Sequence, residues 1–296
     1  VSFKSGYVGI IGLPNAGKST LLNTILQNKV AIVSQKAQTT RHVIVGVYHE
    51  KDYQIVFLDT PGFHKVRDGL SKQMLKMTNN TIVDVDLIYF LVDAKRKPTR
   101  NDALLMDVIK RANKKVFLVL NKNDELSKTR LLEQLLLWNS WAHFDEVIPI
   151  SAKENDNIDT LLKVTHDYLE EGYPFYSEDV ITTQSDETLI VETIREQVLH
   201  FTNQEIPHSI AIAIDELVFS NNRMDVMVSV VVEKESQKRI IIGHQGRKKN
   251  EIIRFASIAL RKMYRKKVFL KLFVKVEKDW RNKPHHLKEY GYIEDE

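Results

Sequence analysis

Gly12-Leu13-Pro14-Asn15-Ala16-Gly17-Lys18-Ser19-Thr20 have the types and spacing to hold a string of phosphates. Two glycines bracket four residues and are followed by Lys and Ser, directly after the apolar run Val8–Ile11. Gly12 and Gly17 let the backbone curl so that successive N–H groups point inward at phosphate oxygens, and a helix opening at Lys18 adds the partial positive charge of its N-terminus. Lys18 would neutralise the β- and γ-phosphates, while the Ser19 hydroxyl would face Mg²⁺.

Further residues supply the rest of such a site in order. Phe57-Leu58-Asp59-Thr60-Pro61-Gly62 ends a strand in a carboxylate suited to hold Mg²⁺ directly or through water, and the Gly62 N–H can approach a γ-phosphate. Asn121-Lys122-Asn123-Asp124 follows the apolar run Leu118-Val119-Leu120, at the end of a strand where α/β sheets bind ligands. An ionised carboxylate only accepts, so Asp124 matches the ring N–H and exocyclic amine of guanine together; adenine has neither. Asn121 either meets the other edge of the base or ties loops together, and the stem of Lys122 covers the ring. Ser151-Ala152-Lys153 ends another strand, with backbone N–H groups expected to reach the guanine oxygen.

Such chemistry needs strand ends and helix starts to hold it. Short apolar runs (residues 7–11, 43–49, 53–58, 87–92, 116–120 and 147–150) alternate with segments of helical period (18–27, 101–112, 128–138 and 158–169). The spacing predicts an α/β three-layer sandwich, a mostly parallel six-stranded sheet with helices on both faces. The pair 43–49 and 53–58 is the exception, because three residues can only join an antiparallel hairpin. This first domain is expected over 1–172, followed by a linker over 173–186. A helix (188–200), two strands (209–218 and 224–232), a basic helix (248–264) and a last strand (268–276) then predict a smaller α+β domain over 187–279, with 280–296 as a tail. Residues 239–242 are too short an apolar run to assign.

The net charge of +4 conceals a split. Residues 238–288 carry 17 Lys/Arg against three acids, the electrostatic footprint of a polyanion-binding module beside an acidic body. No cysteine is present, which excludes a disulfide framework and thiolate metal sites and fits a reducing cytosol. No apolar run is long enough to span a membrane, and the N-terminus lacks the pattern of an export signal.

With these motifs in view the chain resembles the TRAFAC-class GTPases, the P-loop NTPases that include Ras. Gln38-Thr39-Thr40-Arg41 looks like their switch loop, which implies that Thr40 ligates Mg²⁺ and contacts the γ-phosphate; Lys18, Thr40, Gly62 and Asn15 are the implied catalytic set. Phe63 stands where Ras-like proteins place a water-orienting Gln, and a phenyl ring neither donates nor accepts. Relatives with such a replacement use a monovalent cation held partly by a P-loop Asn. The resemblance therefore implies slow hydrolysis and, through Asn15, K⁺ beside Mg²⁺.

Ile242-Gly243-His244-Gln245-Gly246-Arg247-Lys248-Lys249 is similar to the GxxG loop of a type II KH domain, whose two glycines bring backbone amides close to single-stranded nucleic acid. One P-loop GTPase domain followed by one such KH domain resembles the Era family of bacterial ribosome-assembly GTPases. That resemblance implies a monomer that binds the 3′ end of small-subunit ribosomal RNA and the small ribosomal subunit, in the cytoplasm with peripheral contact to the inner membrane surface. Ala16 in place of Val and His244 in place of Lys depart from the family pattern; Trp280, His285 and His286 read as packing residues. An RNA-modification or translation GTPase and a membrane-associated regulatory GTPase are the alternatives.

Overall fold

Strands buried on both faces need apolar side chains at every position, and the central strands have them. The computed structural model describes residues 2–34, 39–63, 66–202 and 209–293, which divide into two units. In the first, strands β1 (Lys4–Ile11), β2 (Ile44–His49), β3 (Tyr53–Asp59), β4 (Leu87–Asp93), β5 (Lys115–Asn121) and β6 (Glu146–Ile150) lie in the order β2-β3-β1-β4-β5-β6. All neighbours are parallel except β2 and β3, the hairpin required by their short connection. A seventh strand, the two residues of β7 (Glu170–Glu171), pairs antiparallel with Lys4 and Ser5, beyond the six expected.

The period-2 alternation sorts side chains between two cores. Tyr89, Leu91, Phe117 and Val119 pack under helices α1 (Lys18–Leu26) and α5 (Ile158–Tyr168). Phe90, Val92, Leu118 and Leu120 pack under α2 (Gly69–Asp84), α3 (Arg100–Ala112) and α4 (Lys128–Trp141). Each such side chain, wholly buried, contributes about 1.5–3 kcal/mol. The sandwich thus fixes the C-terminal ends of β1, β3, β5 and β6, which carry the candidate residues.

Residues 173–183, expected as linker, pack onto the first unit. Gln54 accepts from the N–H groups of Phe175 (2.8 Å) and Tyr176 (3.1 Å). Ile181 and Thr182 bond to the backbone of Val47 and Val45, covering the edge strand β2. The stretch forms no helix or strand and is held by single hydrogen bonds, so its sequence carries no period and looks like a loop.

The second unit comprises residues 32–39, 66–73 and 184–296. It holds α6 (Asp186–Phe201), β8 (Ala211–Phe219), β9 (Arg223–Val232), α7 (Glu235–Ile242), α8 (Arg247–Tyr264), β10 (Lys267–Val276) and α9 (Pro284–Glu289). The sheet runs β10-β9-β8, with β8 antiparallel and β10 parallel to β9. A parallel neighbour requires a crossover, which α7 and α8 provide. Residues 239–242 are therefore helical, in a helix whose start is closed by Gln237 accepting from the N–H groups of Glu233 and Lys234 at 3.0 Å. The described part of the expected tail is folded. Trp280 is fully buried and donates its indole N–H to the Ser209 carbonyl (3.1 Å).

Candidate functional site

The phosphate loop leaves β1 at Gly12 and enters α1 at Lys18. Gly17 has φ 98°, and a Cβ there would lie 2.2 Å from the Asn121 amide, so only glycine fits. Asn15 is exposed with φ 64°, a conformation Asn tolerates better than most residues. The Lys18 ammonium donates to the carbonyls of Gly12 (3.1 Å) and Leu13 (3.2 Å), which curls the loop around it. Pro14 lies against Gly62, Phe63 donates its N–H to Gly12 (3.1 Å), and the Thr60 hydroxyl donates to Ile10 (3.0 Å). The Pro61 carbonyl accepts from Thr78 (3.1 Å). Asp59-Thr60-Pro61-Gly62-Phe63 is thus held against the phosphate loop, while Ala16 is buried and Thr20 lies in the first turn of α1.

Three oxygens meet beside Lys18. The Ser19 hydroxyl donates to Asp59 Oδ2 (2.5 Å) and lies 2.8 Å from the Thr40 hydroxyl. Asp59 is fully buried and its second oxygen, Oδ1, has no hydrogen-bond partner among the described residues. An all-oxygen set with an orphaned buried carboxylate oxygen fits Mg²⁺, which when bound would neutralise phosphate charge. Of the expected switch loop, Gln38 lies outside the described residues. Thr39, Thr40 and Arg41 are described, with Thr40 and Arg41 buried.

Burial pushes the Asp59 carboxyl up to about 6 against the pull of Lys18 and Ser19, and it draws the Lys18 ammonium down to about 8 against the pull of Asp59. A carboxyl raised in the fold contributes stability below the unfolded value that is lost as pH rises through about 6. A lowered ammonium costs stability as pH falls through about 8. At neutral pH both penalties stand in the nucleotide-free protein, and polyphosphate beside Lys18 removes the second. Nucleotide binding at pH 8 is therefore expected to take up about half a proton, because phosphate groups are already ionised there. Calorimetry in buffers of different ionisation enthalpy measures this. Identical heats in both buffers would rule it out.

The base-reading loop is built around Asn121. Its amide donates to the Ala16 carbonyl (2.8 Å) and its oxygen accepts from the N–H groups of Lys122 and Ala152 (2.9 Å each). Of the two roles left open by the sequence, Asn121 performs the tying of loops. The Lys122 ammonium reaches the Asn15 carbonyl (2.9 Å) and Asp93 (2.8 Å), stretching its stem across the phosphate loop. Asn123 donates to Asp156 (2.8 Å). Asp124, on the turn after β5, is exposed rather than buried, so its carboxylate would be desolvated only by a base bound over it. The three N–H groups of Ser151-Ala152-Lys153 are not equivalent. Those of Ser151 and Ala152 are engaged by Asp156 and Asn121, so among the described residues the Lys153 N–H is the one of the three that would reach a guanine oxygen.

In the second unit Ile242 ends α7 and Arg247 begins α8, with Gly243, His244, Gln245 and Gly246 between them. Gly243 has φ 71°, and a Cβ there would come within 2.7 Å of the Lys248 side chain. The first turn of α8 has no acid and carries Arg247, Lys248 and Lys249, so charge and helix N-terminus both favour an anion. His244 and Gln245 are exposed at the tip.

Comparison with known proteins agrees with this geometry. Residues 7–122 match the family described as 50S ribosome-binding GTPase, and residues 205–281 match the KH domain. A solved Era in complex with MgGDPNP and nucleotides 1506–1542 of 16S ribosomal RNA is 36% identical, with a TM-score of 0.95 over 99% of this chain and 100% of that one. A variant of Aquifex aeolicus Era bound to GDP·AlF4− gives the same identity, coverage and TM-score. The GTPase Era of Staphylococcus haemolyticus is 42% identical over 294 residues, 99% of this chain and 98% of that protein. A P-loop site and a GxxG loop on one chain, matched from end to end by these relatives, place the protein in the Era family of GTPases.

Proposed function

We propose that this chain is a GTP-operated switch that binds the 3′ end of small-subunit ribosomal RNA and assists assembly of the small ribosomal subunit in the cytoplasm. The carrying observation is the end-to-end similarity to the Era solved with MgGDPNP and nucleotides 1506–1542 of 16S ribosomal RNA. The chain's own residues supply both halves of the reading. Residues 12–20, 59–63, 121–124 and 151–153 would bind GTP, with Ser19, Thr40 and Asp59 holding Mg²⁺, and residues 242–249 would bind RNA. Lys18 and the N–H groups of the phosphate loop would stabilise charge building on the leaving phosphate, and Thr40 and Gly62 would follow the γ-phosphate. Crosslinking of the full chain to total RNA is expected to yield small-subunit RNA at residues 243–249, more with a non-hydrolysable GTP analogue than with GDP. RNA absent from this loop in both states would refute the reading.

K⁺ beside Asn15 belongs to the same proposal. Phe63 has no group to orient water, and the Asn15 side chain is exposed at the loop's outer rim. Turnover is expected to be faster in K⁺ than in Na⁺, with the difference lost in Asn15→Ala. Equal rates in the two salts would remove the cation.

A further inference from the structure

Both chain segments that flank the γ-phosphate position, residues 32–39 before Thr40 and residues 66–73 after Gly62, belong to the second unit. The first of them is gripped at both ends by one helix. Ile32 is part of the second unit's apolar core, and Val33 donates its N–H to Glu196 Oε1 of α6 (3.2 Å). At the other end the Thr39 carbonyl accepts from the guanidinium of Arg195, one residue earlier on the same helix. Arg195 is fully buried and is itself held by Glu192, which accepts from Nε at 3.0 Å and also from Nη2. The next residue after Thr39 is Thr40, whose hydroxyl lies 2.8 Å from Ser19 in the first unit. One peptide bond therefore separates the carbonyl fixed by Arg195 from the residue whose hydroxyl faces the metal position. The segment after Gly62 is anchored in the same way, with Asp68 paired to Arg281 (2.7 Å) and the Gly69 N–H donating to Asn282 (2.9 Å).

Resting on the switch reading above, we propose that Arg195, oriented by Glu192, is the positioning residue through which the place of Thr40 is linked to the RNA-binding unit. An ion pair buried this deeply costs more desolvation than an apolar pair of equal volume, so stability alone is a weak reason for its presence. Its distinguishing feature is the third partner, a backbone carbonyl that moves whenever Thr40 moves. A forked guanidinium satisfies the Glu192 carboxylate and this carbonyl at once, which an ammonium on a flexible stem does less well. When Thr40 engages a γ-phosphate, Thr39 is drawn to one position and α6 is held with it. Without that engagement Thr39 keeps its bond to Arg195, but α6 has no tie to the nucleotide. By linkage the effect is reciprocal, so RNA that favours one position of α6 favours GTP over GDP by the same factor.

The test is the ratio of RNA affinities measured with a non-hydrolysable GTP analogue and with GDP, on the full chain, with an RNA of the 3′-terminal small-subunit sequence. The variant Glu192→Met/Arg195→Met removes both partners of the pair together, and Glu196 beside them keeps the Val33 N–H. It is expected to keep the wild-type melting temperature within a few degrees, GDP affinity and RNA affinity in GDP, while the ratio falls to about one. RNA should likewise cease to raise affinity for the GTP analogue. Should this variant fail to fold, Arg195→Lys gives the same comparison, with a reduced ratio expected. A wild-type ratio in a folded variant, or a loss of stability with the ratio intact, would mean that the pair is structural and overturn the proposal. A ratio of one in the wild-type protein would instead overturn the switch reading, and the wild-type measurement tells the two failures apart.

Discussion

Asp124→Asn is expected to lower affinity for guanine nucleotides by about 10³-fold and to create affinity for xanthine nucleotides, with the fold unchanged. The carboxylate offers two acceptors, which match the ring N–H and the exocyclic amine of guanine. An Asn keeps one acceptor for the ring N–H but turns an N–H donor toward the amine, so two donors face each other. Xanthine carries a carbonyl in place of the amine and accepts from that donor. The exchange thus adds a repulsive pair for one base and a bond for the other, which is how large changes in specificity arise. Because Asp124 is exposed when no base covers it, the substitution leaves no buried group unpaired in the free protein. The loop that carries it is fixed by other residues, Asn121 through three hydrogen bonds and Lys122 through its contacts to Asn15 and Asp93. Competition of GDP and XDP for the site measures the effect. Retention of GDP affinity within tenfold would show that Asp124 does not read the base.

The same loop shows where the sequence stopped being sufficient. Types and spacing at residues 12–20, 59–62 and 121–124 lead to the C-terminal ends of β1, β3 and β5, on one edge of the sheet, because each motif directly follows an apolar run that reads as a buried strand. The hydrogen-bond assignment within the site was not legible. Asn121 has both donors and acceptors, and only its position beside Ala16 and Ala152 decides that it ties loops. Helix α2 was missed for a different reason. Its buried face is carried partly by Ser71, Thr78 and Thr81, which look polar in a sequence. The Thr81 hydroxyl is satisfied by the Met77 carbonyl four residues earlier, and the Thr78 hydroxyl is shared between Met74 on the same helix and Pro61, so both can be buried. The folding of residues 280–293 turns on Trp280, whose indole finds the Ser209 carbonyl 71 residues earlier, a pairing without local signal. The membership of residues 32–39 and 66–73 in the second unit is equally non-local, since it rests on partners such as Arg195 and Arg281 far along the chain.

The double substitution His244→Asp/Gln245→Asp is expected to reduce RNA affinity by about 10²-fold or more while leaving GDP binding and stability unchanged. Both positions are exposed at the tip between α7 and α8, so the side chains can be exchanged without disturbing the core. Gln245 has φ 51°, a left-handed conformation that Asp accepts more readily than most residues, and Gly243 and Gly246 keep their own conformations. The effect is electrostatic. A phosphodiester drawn to Arg247, Lys248 and Lys249 at the start of α8 would have to pass two carboxylates, and like charges about 4 Å apart at a protein surface repel by about 4 kcal/mol before salt screening. The neutral pair His244→Asn/Gln245→Asn has the same backbone tolerance and adds no charge, so it is expected to retain affinity within tenfold. Filter binding or fluorescence anisotropy over a series of salt concentrations separates the two, since the Asp pair should also flatten the dependence of affinity on salt. If the Asn pair were as damaging as the Asp pair, the loop would act through its shape or through the His244 ring. If neither pair weakened binding, the RNA would have to be held by some other face of the basic unit.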